Sequence, residues 1–218
     1  MPPERDPEPP RLSAGLASQV LEAPIGDGAA FAEAEIVGAS CAGRRIDGLE
    51  CIEVVLLDPD MSGAELRDCA FRDTAFENPN LATATIRGGS LTRVVVEGGR
   101  LTGLQVTEAD VRDVVWRGCG ADMATFRHAR LLHVTFQDCS LREADFTGMR
   151  GEAVRFTDCD LRGASFRDAE LAACELRRCR LDDIEGVEGL RGASLELDQL
   201  IELAPALARS MGIGVLSE

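Results

Sequence analysis

From Phe31 to Leu181 every fifth residue is apolar. Phe31, Ile36, Cys41, Ile46, Cys51 and Leu56 open a series that runs without insertion or deletion to Phe166, Leu171, Leu176 and Leu181, with Ala121 and Gly151 as its two small members. A spacing of five fits neither the 3.6-residue period of a helix nor the alternation of a strand. Fixed self-similarity over so long a stretch predicts a solenoid, in which each repeat packs on its neighbours.

Two positions before each apolar centre stands a second, mostly small site, as at Ala64, Cys69, Ala84, Ala109, Ala124 and Ala144. Two positions after it Gly and Asp recur, as at Gly43, Gly48, Asp58, Gly63, Asp68, Asp73, Gly103 and Asp113; these residues favour tight turns. A chain that turns a corner every five residues closes a square coil after twenty, so positions twenty apart stack and share character. One column reads Phe76, Val96, Trp116, Phe136, Phe156, and the opposite one Val106, Phe126, Phe146, Phe166, with mainly leucine between them. At about 4.8 Å per rung, roughly eight coils predict a rod on the order of 37 Å long. Near-crystalline packing predicts that the small centres are compensated: Gly151 by Met149, where alanine is usual, and Ala121 by the neighbouring Trp116.

The flanks read differently. Residues 1–10 are acidic and rich in proline, and are expected to form a disordered tail. Within residues 11–30, Leu12, Leu16 and Val20 predict a short amphipathic helix that caps the first coil, since an open solenoid end exposes unpaired backbone groups. The repeat is assigned to 31–195, in a shifted frame at Leu190 and Leu195. In 196–218, Asp198 to Met211 carries a helical pattern with Asp198 as N-cap, Pro205 as a kink or restart and Gly212 as terminator.

The net charge is −15, and all 23 basic residues are arginine. That balance argues against direct nucleic-acid binding, which needs a basic surface. No apolar run approaches the roughly 20 residues that span a bilayer, and the acidic N-terminus is unlike a secretory leader. Eight cysteines in such a chain read as reduced thiols of a cytoplasmic protein.

Ala144-Asp145-Phe146, Cys159-Asp160-Leu161 and Ala164-Ser165-Phe166 resemble the A-[DN]-[LF]-x-x unit of pentapeptide-repeat proteins. The resemblance implies an all-β fold, a right-handed quadrilateral β-helix with a short C-terminal helical cap. Leu190-Arg191-Gly192-Ala193-Ser194-Leu195, then Asp198-Gln199, an apolar helix and Met211-Gly212-Ile213-Gly214-Val215 resemble the ending of the gyrase-protecting Qnr and MfpA members. This second likeness implies a homodimer through Leu200, Leu203, Leu207 and Met211, an acidic body that mimics DNA, and DNA gyrase as partner. The chain differs from those members by about one extra helical turn containing Pro205, and by the absence of loops interrupting the coil.

Negative charge is concentrated at one end: from Asp47 to Glu77 nine acids face Arg67 and Arg72, a net of −7. Asp58, Asp60, Glu65, Asp68 and Asp73 are therefore the candidate acidic interaction surface. The alternative is a structural rod, kept soluble by its charges, that binds an unrelated protein.

Catalytic, cofactor and metal roles are assigned to no residue. Cys119, Cys139, Cys159 and Cys179 recur every twenty residues, which places them in a line, whereas a tetrahedral zinc site needs sulfurs converging on one point. His128 and His133 take the same outward position on consecutive repeats and read as solvated. The carboxylate pairs Asp58/Asp60 and Asp158/Asp160 fall on convex turns, without the pocket that general acid–base chemistry requires.

Overall fold

The computed structural model describes residues 5–21 and 23–214. Its corners come directly from the five-residue grammar. The residue two positions past an apolar centre takes a positive φ: 64° at Gly43, 48° at Asp58, 62° at Gly63, 49° at Asp68, 52° at Asp73 and 53° at Asp113. Glycine enters this left-handed region freely, and Asp and Asn more readily than most residues. Met123, Ala153 and Ala173 hold the same conformation without that advantage, which costs about 1–2 kcal/mol at each.

Four such bends per coil give a β-solenoid of about nine turns built of mostly parallel strands, with one C-terminal helix. Eight-residue strands such as Glu50–Leu57, Ala70–Glu77, Ser90–Glu97 and Asp110–Arg117 bend across one corner and line two adjacent faces. They pair in parallel at a register of twenty, with Cys51 opposite Phe71 and Leu56 opposite Phe76. β-branched residues, as in Val94-Val95-Val96, suit this continuous sheet. A third face carries the short strands Arg45–Asp47, Glu65–Arg67, Thr85–Arg87 and Gln105–Thr107, continued by single bridges through Thr125, Asp145 and Ser165. The fourth is held by bridges from Ser40 to Asp60, Asn80, Arg100 and onward.

The stacked columns of the interior are aromatic where the sequence places aromatics. Phe136 and Phe156 stack at 5.0 Å with 5° between planes, as do Phe126 and Phe146 at 5.3 Å and 5°. Across the core the two columns meet edge to face, Phe146 against Phe156 at 5.4 Å and 80°. Such contacts add roughly 0.5–1.5 kcal/mol each beyond the area buried.

The ends depart from expectation. No helix forms at Leu12–Val20; Ala17–Val20 is a strand that pairs in parallel with Ala30–Val37. The exposed N–H and C=O groups of the first coil recruit a strand more effectively than a short helix could cover them. At the other end Ala193–Leu195 forms a rung of the repeat as expected, pairing with Cys174–Arg177, and the N-terminal strand lengthens the rod beyond the roughly eight coils expected. Residues 5–10 lie along the body rather than forming a free tail; of the predicted tail, residues 1–4 fall outside the described residues.

The C-terminal helix α1 (Leu197–Ser210) starts two residues before the position that an Asp198 cap would give. Its N-cap is Glu196, not Asp198, in a reciprocal capping box with Gln199. It runs through Pro205 without a break. Gln199 is buried and its Nε2 donates to the carbonyl of Cys179 at 3.1 Å, tying the helix to the last full coil. No described helix is long and apolar enough to cross a membrane.

Candidate interaction surfaces

The five acids proposed as one surface are not on one face. Asp58, Asp68 and Asp73 are corner residues of three different edges of the same coil, while Asp60 and Glu65 lie on two intervening faces. Their charges are largely engaged. Asp60 accepts from the Ser62 hydroxyl at 2.7 Å and from Asn80 Nδ2 at 3.0 Å, and these bonds, with the Ser62 N–H, hold its carboxyl below the usual range. Glu65 is paired with Arg67, Asp58 accepts from Asn78 Nδ2 at 3.3 Å, and the exposed Asp68 lies over Gly88 of the next coil. Acids adjacent in sequence are separated here by corners.

Arginines answer acids along the whole rod. Arg87 meets Glu108 at 3.3 Å, Arg127 meets Asp145 at 3.3 Å, Arg167 meets Glu185 at 3.1 Å, and Arg178 forms two 2.7 Å bonds to Asp158. Exposed pairs of this kind contribute little stability individually. They do leave the flanks patterned rather than uniformly negative.

Asp73 is different. It is 5% exposed, and its two oxygens each receive a 2.6 Å bond from Arg93, one coil on. The Arg11 backbone N–H adds a third bond at 2.9 Å. The Arg93 bonds, with the Arg11 N–H, hold the Asp73 carboxyl below the ordinary range against its burial. Two coils further along the same edge, Asp113 is 6% exposed, receives the Glu8 N–H at 3.2 Å and stands 3.5 Å from His133 Nδ1. His133 thus has a partner on its edge, while His128 is exposed over Gly148. Sequence reasoning missed this edge because residues 5–13 complete it from far along the chain.

The predicted dimer residues are divided. Leu203 is 3% exposed and packs with Leu207 against the core, on the coil side of α1. Leu200 and Met211 face outward and are joined by Leu197 and Ile201, which were not predicted; Ile201 is 67% exposed and Met211 73%. Leu197, Leu200 and Ile201 lie within one turn of each other at the start of α1, and Met211 is its C-cap.

The cysteine column consists of packing groups. The Cys119 thiol donates to the Val96 carbonyl at 3.5 Å, Cys139 to Trp116 at 3.4 Å, and Cys159 to Phe136 at 3.4 Å. Among the described residues no group of three or more His, Cys, Asp or Glu converges on a point that would hold a metal ion. An open cleft of about 650 Å³ lies over Leu131, Gly151 and Leu171, rimmed by Arg130, Arg150 and Glu170.

Residues 109–185 match the family model described as a pentapeptide repeat region. No curated protein matches the chain. Among solved structures, the full-length plasmid-mediated fluoroquinolone resistance protein QnrB1 is 16% identical, with a TM-score of 0.44 over 90% of this chain and 100% of that one. A pentapeptide repeat protein from the Arabidopsis thaliana thylakoid lumen is 20% identical, with a TM-score of 0.32 over 50% of this chain and 69% of that one. HetL, a pentapeptide repeat protein involved in heterocyst differentiation regulation in the cyanobacterium Nostoc, is 19% identical, with a TM-score of 0.26 over 83% and 90%.

Proposed function

We propose, from the match of residues 109–185 to a pentapeptide repeat region, that the chain is a pentapeptide-repeat protein: a non-enzymatic, cytoplasmic protein-binding rod that pairs end to end with a second copy. The observation that carries this reading is the exposed apolar surface of α1: Leu197, Leu200 and Ile201 at its start and Met211 at its C-cap are exposed, while Leu203 packs on the coil. Contiguous exposed apolar residues mark association surfaces. Such a surface at one end of a rod makes a self-complementary, closed two-fold contact.

The partner supplied by the sequence resemblance is DNA gyrase. What favours it is the C-terminal motif and the net −7 of residues 47–77, which a paired rod would carry at both distal ends. The spread of those acids over several edges favours the other reading, a rod with an unrelated protein partner. A supercoiling assay with purified gyrase, with and without a fluoroquinolone, separates the two. Inhibition or drug protection at modest molar ratio supports gyrase; no change at large excess leaves the unrelated partner.

A further inference from the structure

Residues 5–13, Arg-Asp-Pro-Glu-Pro-Pro-Arg-Leu-Ser, run along one edge of the solenoid in the direction opposite to its growth. Arg155 anchors the start, donating to the Arg5 carbonyl at 3.3 Å and pairing with Asp6 at 2.7 Å. The Glu8 N–H then reaches Asp113, the Arg11 N–H reaches Asp73, and the Ser13 hydroxyl donates to Glu53 at 2.8 Å. Gly15, at φ 75°, turns the chain back toward the strand Ala17–Val20.

The spacing fits a polyproline II chain. Asp113 and Asp73 are two coils apart, about 9.6 Å at 4.8 Å per rung. Three residues of polyproline II span about 9.3 Å and return to the same side of the helix. Glu8 and Arg11 are three apart and both donate, while Pro7, Pro9 and Pro10, which have no N–H, occupy the positions around them. Glu8 also meets Arg5 and Arg11 through its side chain.

The edge is built to receive such a chain. Its corner residues Glu53, Asp73, Arg93, Asp113 and His133 all hold φ between 52° and 55°. Beside them the outward positions Val55, Ala75, Val95 and Val115 are apolar and half-buried, and the Thr135 hydroxyl in the same column is buried. Recognition of an extended segment through its backbone, over an apolar strip with charged anchors, is a reusable binding mode rather than one tied to a single sequence.

We infer that this edge is a docking groove for an extended, proline-containing segment of a partner protein, which residues 5–13 occupy in cis as a built-in competitor. The segment it takes carries an acid for Arg155, then free N–H groups two and five residues later for Asp113 and Asp73. Proline fits between those positions and is excluded at them. This inference does not depend on the pairing through α1 or on gyrase.

The test uses the full-length chain and a labelled peptide of residues 1–15. Glu8→Pro with Arg11→Pro removes both N–H groups yet keeps an extended segment. A tethered competitor acts at about millimolar effective concentration, so the double variant is expected to bind the peptide about tenfold or more tighter than the wild type does, by fluorescence anisotropy. A peptide carrying proline at both positions is expected not to bind, and Asp113→Ala in the double variant is expected to weaken binding again. A melt of the repeat confirms that each variant is folded. Equal affinity of wild type and double variant, absence of binding to both, or equal binding of the proline-substituted peptide overturns the proposal.

Discussion

The methyl carbon of Met149 stands 3.3 Å from the point where a Cβ on Gly151 would be, and Leu171 and Val154 each place a methyl 3.1 Å from that point. Met149 is fully buried, so its long flexible side chain fills the space that the missing centre leaves in the column. We predict that Met149→Ala lowers stability by about 2–5 kcal/mol, a cavity cost the rigid coil cannot relieve by collapse. Gly151→Ala is expected to cost about 1–3 kcal/mol through overpacking. The two changes together should cost less than their sum, because one makes room for the other. Denaturant melts decide it: a Met149→Ala loss below about 0.5 kcal/mol, or strict additivity of the pair, removes the compensation.

The Asp73–Arg93 pair predicts a pH dependence of definite sign. The carboxyl is held below its ordinary range, first by the bonds from Arg93 and further by the Arg11 N–H. A depressed folded pKa adds stability that is present above the unfolded value, about 3.9, and is lost as pH falls through the folded value. Asp73→Asn is expected to lower stability at neutral pH by about 1–3 kcal/mol and to flatten the acid limb below about pH 4. Urea melts across a pH series test it. Acid limbs of equal slope in variant and wild type would reject the assignment.

How much of this was legible beforehand follows from the range of the interactions. Phe136 stacks on Phe156 because both sit at the same phase of a repeat, and phase can be read from sequence. The corners were legible as well, since Asp68 and Asp73 announce turns. The ends were not. Leu12, Leu16 and Val20 fit a helical spacing, but the open edge of Ala30–Val37 makes Ala17–Val20 a strand. The partners of Glu8 and Arg11 lie 105 and 62 residues away, and a polyproline segment shows no apolar period. The acidic surface differs for the opposite reason: closeness in sequence does not make a shared face, and Asp58, Asp68 and Asp73 stand on separate corners. On α1 an apolar pattern did not reveal which side the coil would claim, and Leu203 went inward while Ile201 did not.

All eight cysteines are buried free thiols. Burial pushes the Cys41 thiol up to about 11 and Cys51 up to about 12, so at pH 8 neither supplies the thiolate that reacts. The folded protein is expected to show no fast thiol labelling with a disulfide reagent, and full labelling after denaturation. Rapid labelling of a native cysteine would place an opening in the coil that the packed columns do not contain.

The two sides of α1 can be told apart by paired substitutions. Ile201 is exposed and Leu203 is packed on the last coil, so their losses fall on different measurements. Melted at dilutions where neither protein is paired, Ile201→Glu is expected to change stability by less than about 0.5 kcal/mol, as surface changes usually do, while placing a charge in the surface that would meet its own copy across a two-fold axis. Light scattering should then report half the wild-type mass. Leu203→Ala is expected to cost about 2–5 kcal/mol of stability without abolishing association at concentrations where the protein stays folded. A monomeric mass for the wild type at tens of micromolar, or an unchanged mass for Ile201→Glu, would move the partner surface away from this helix.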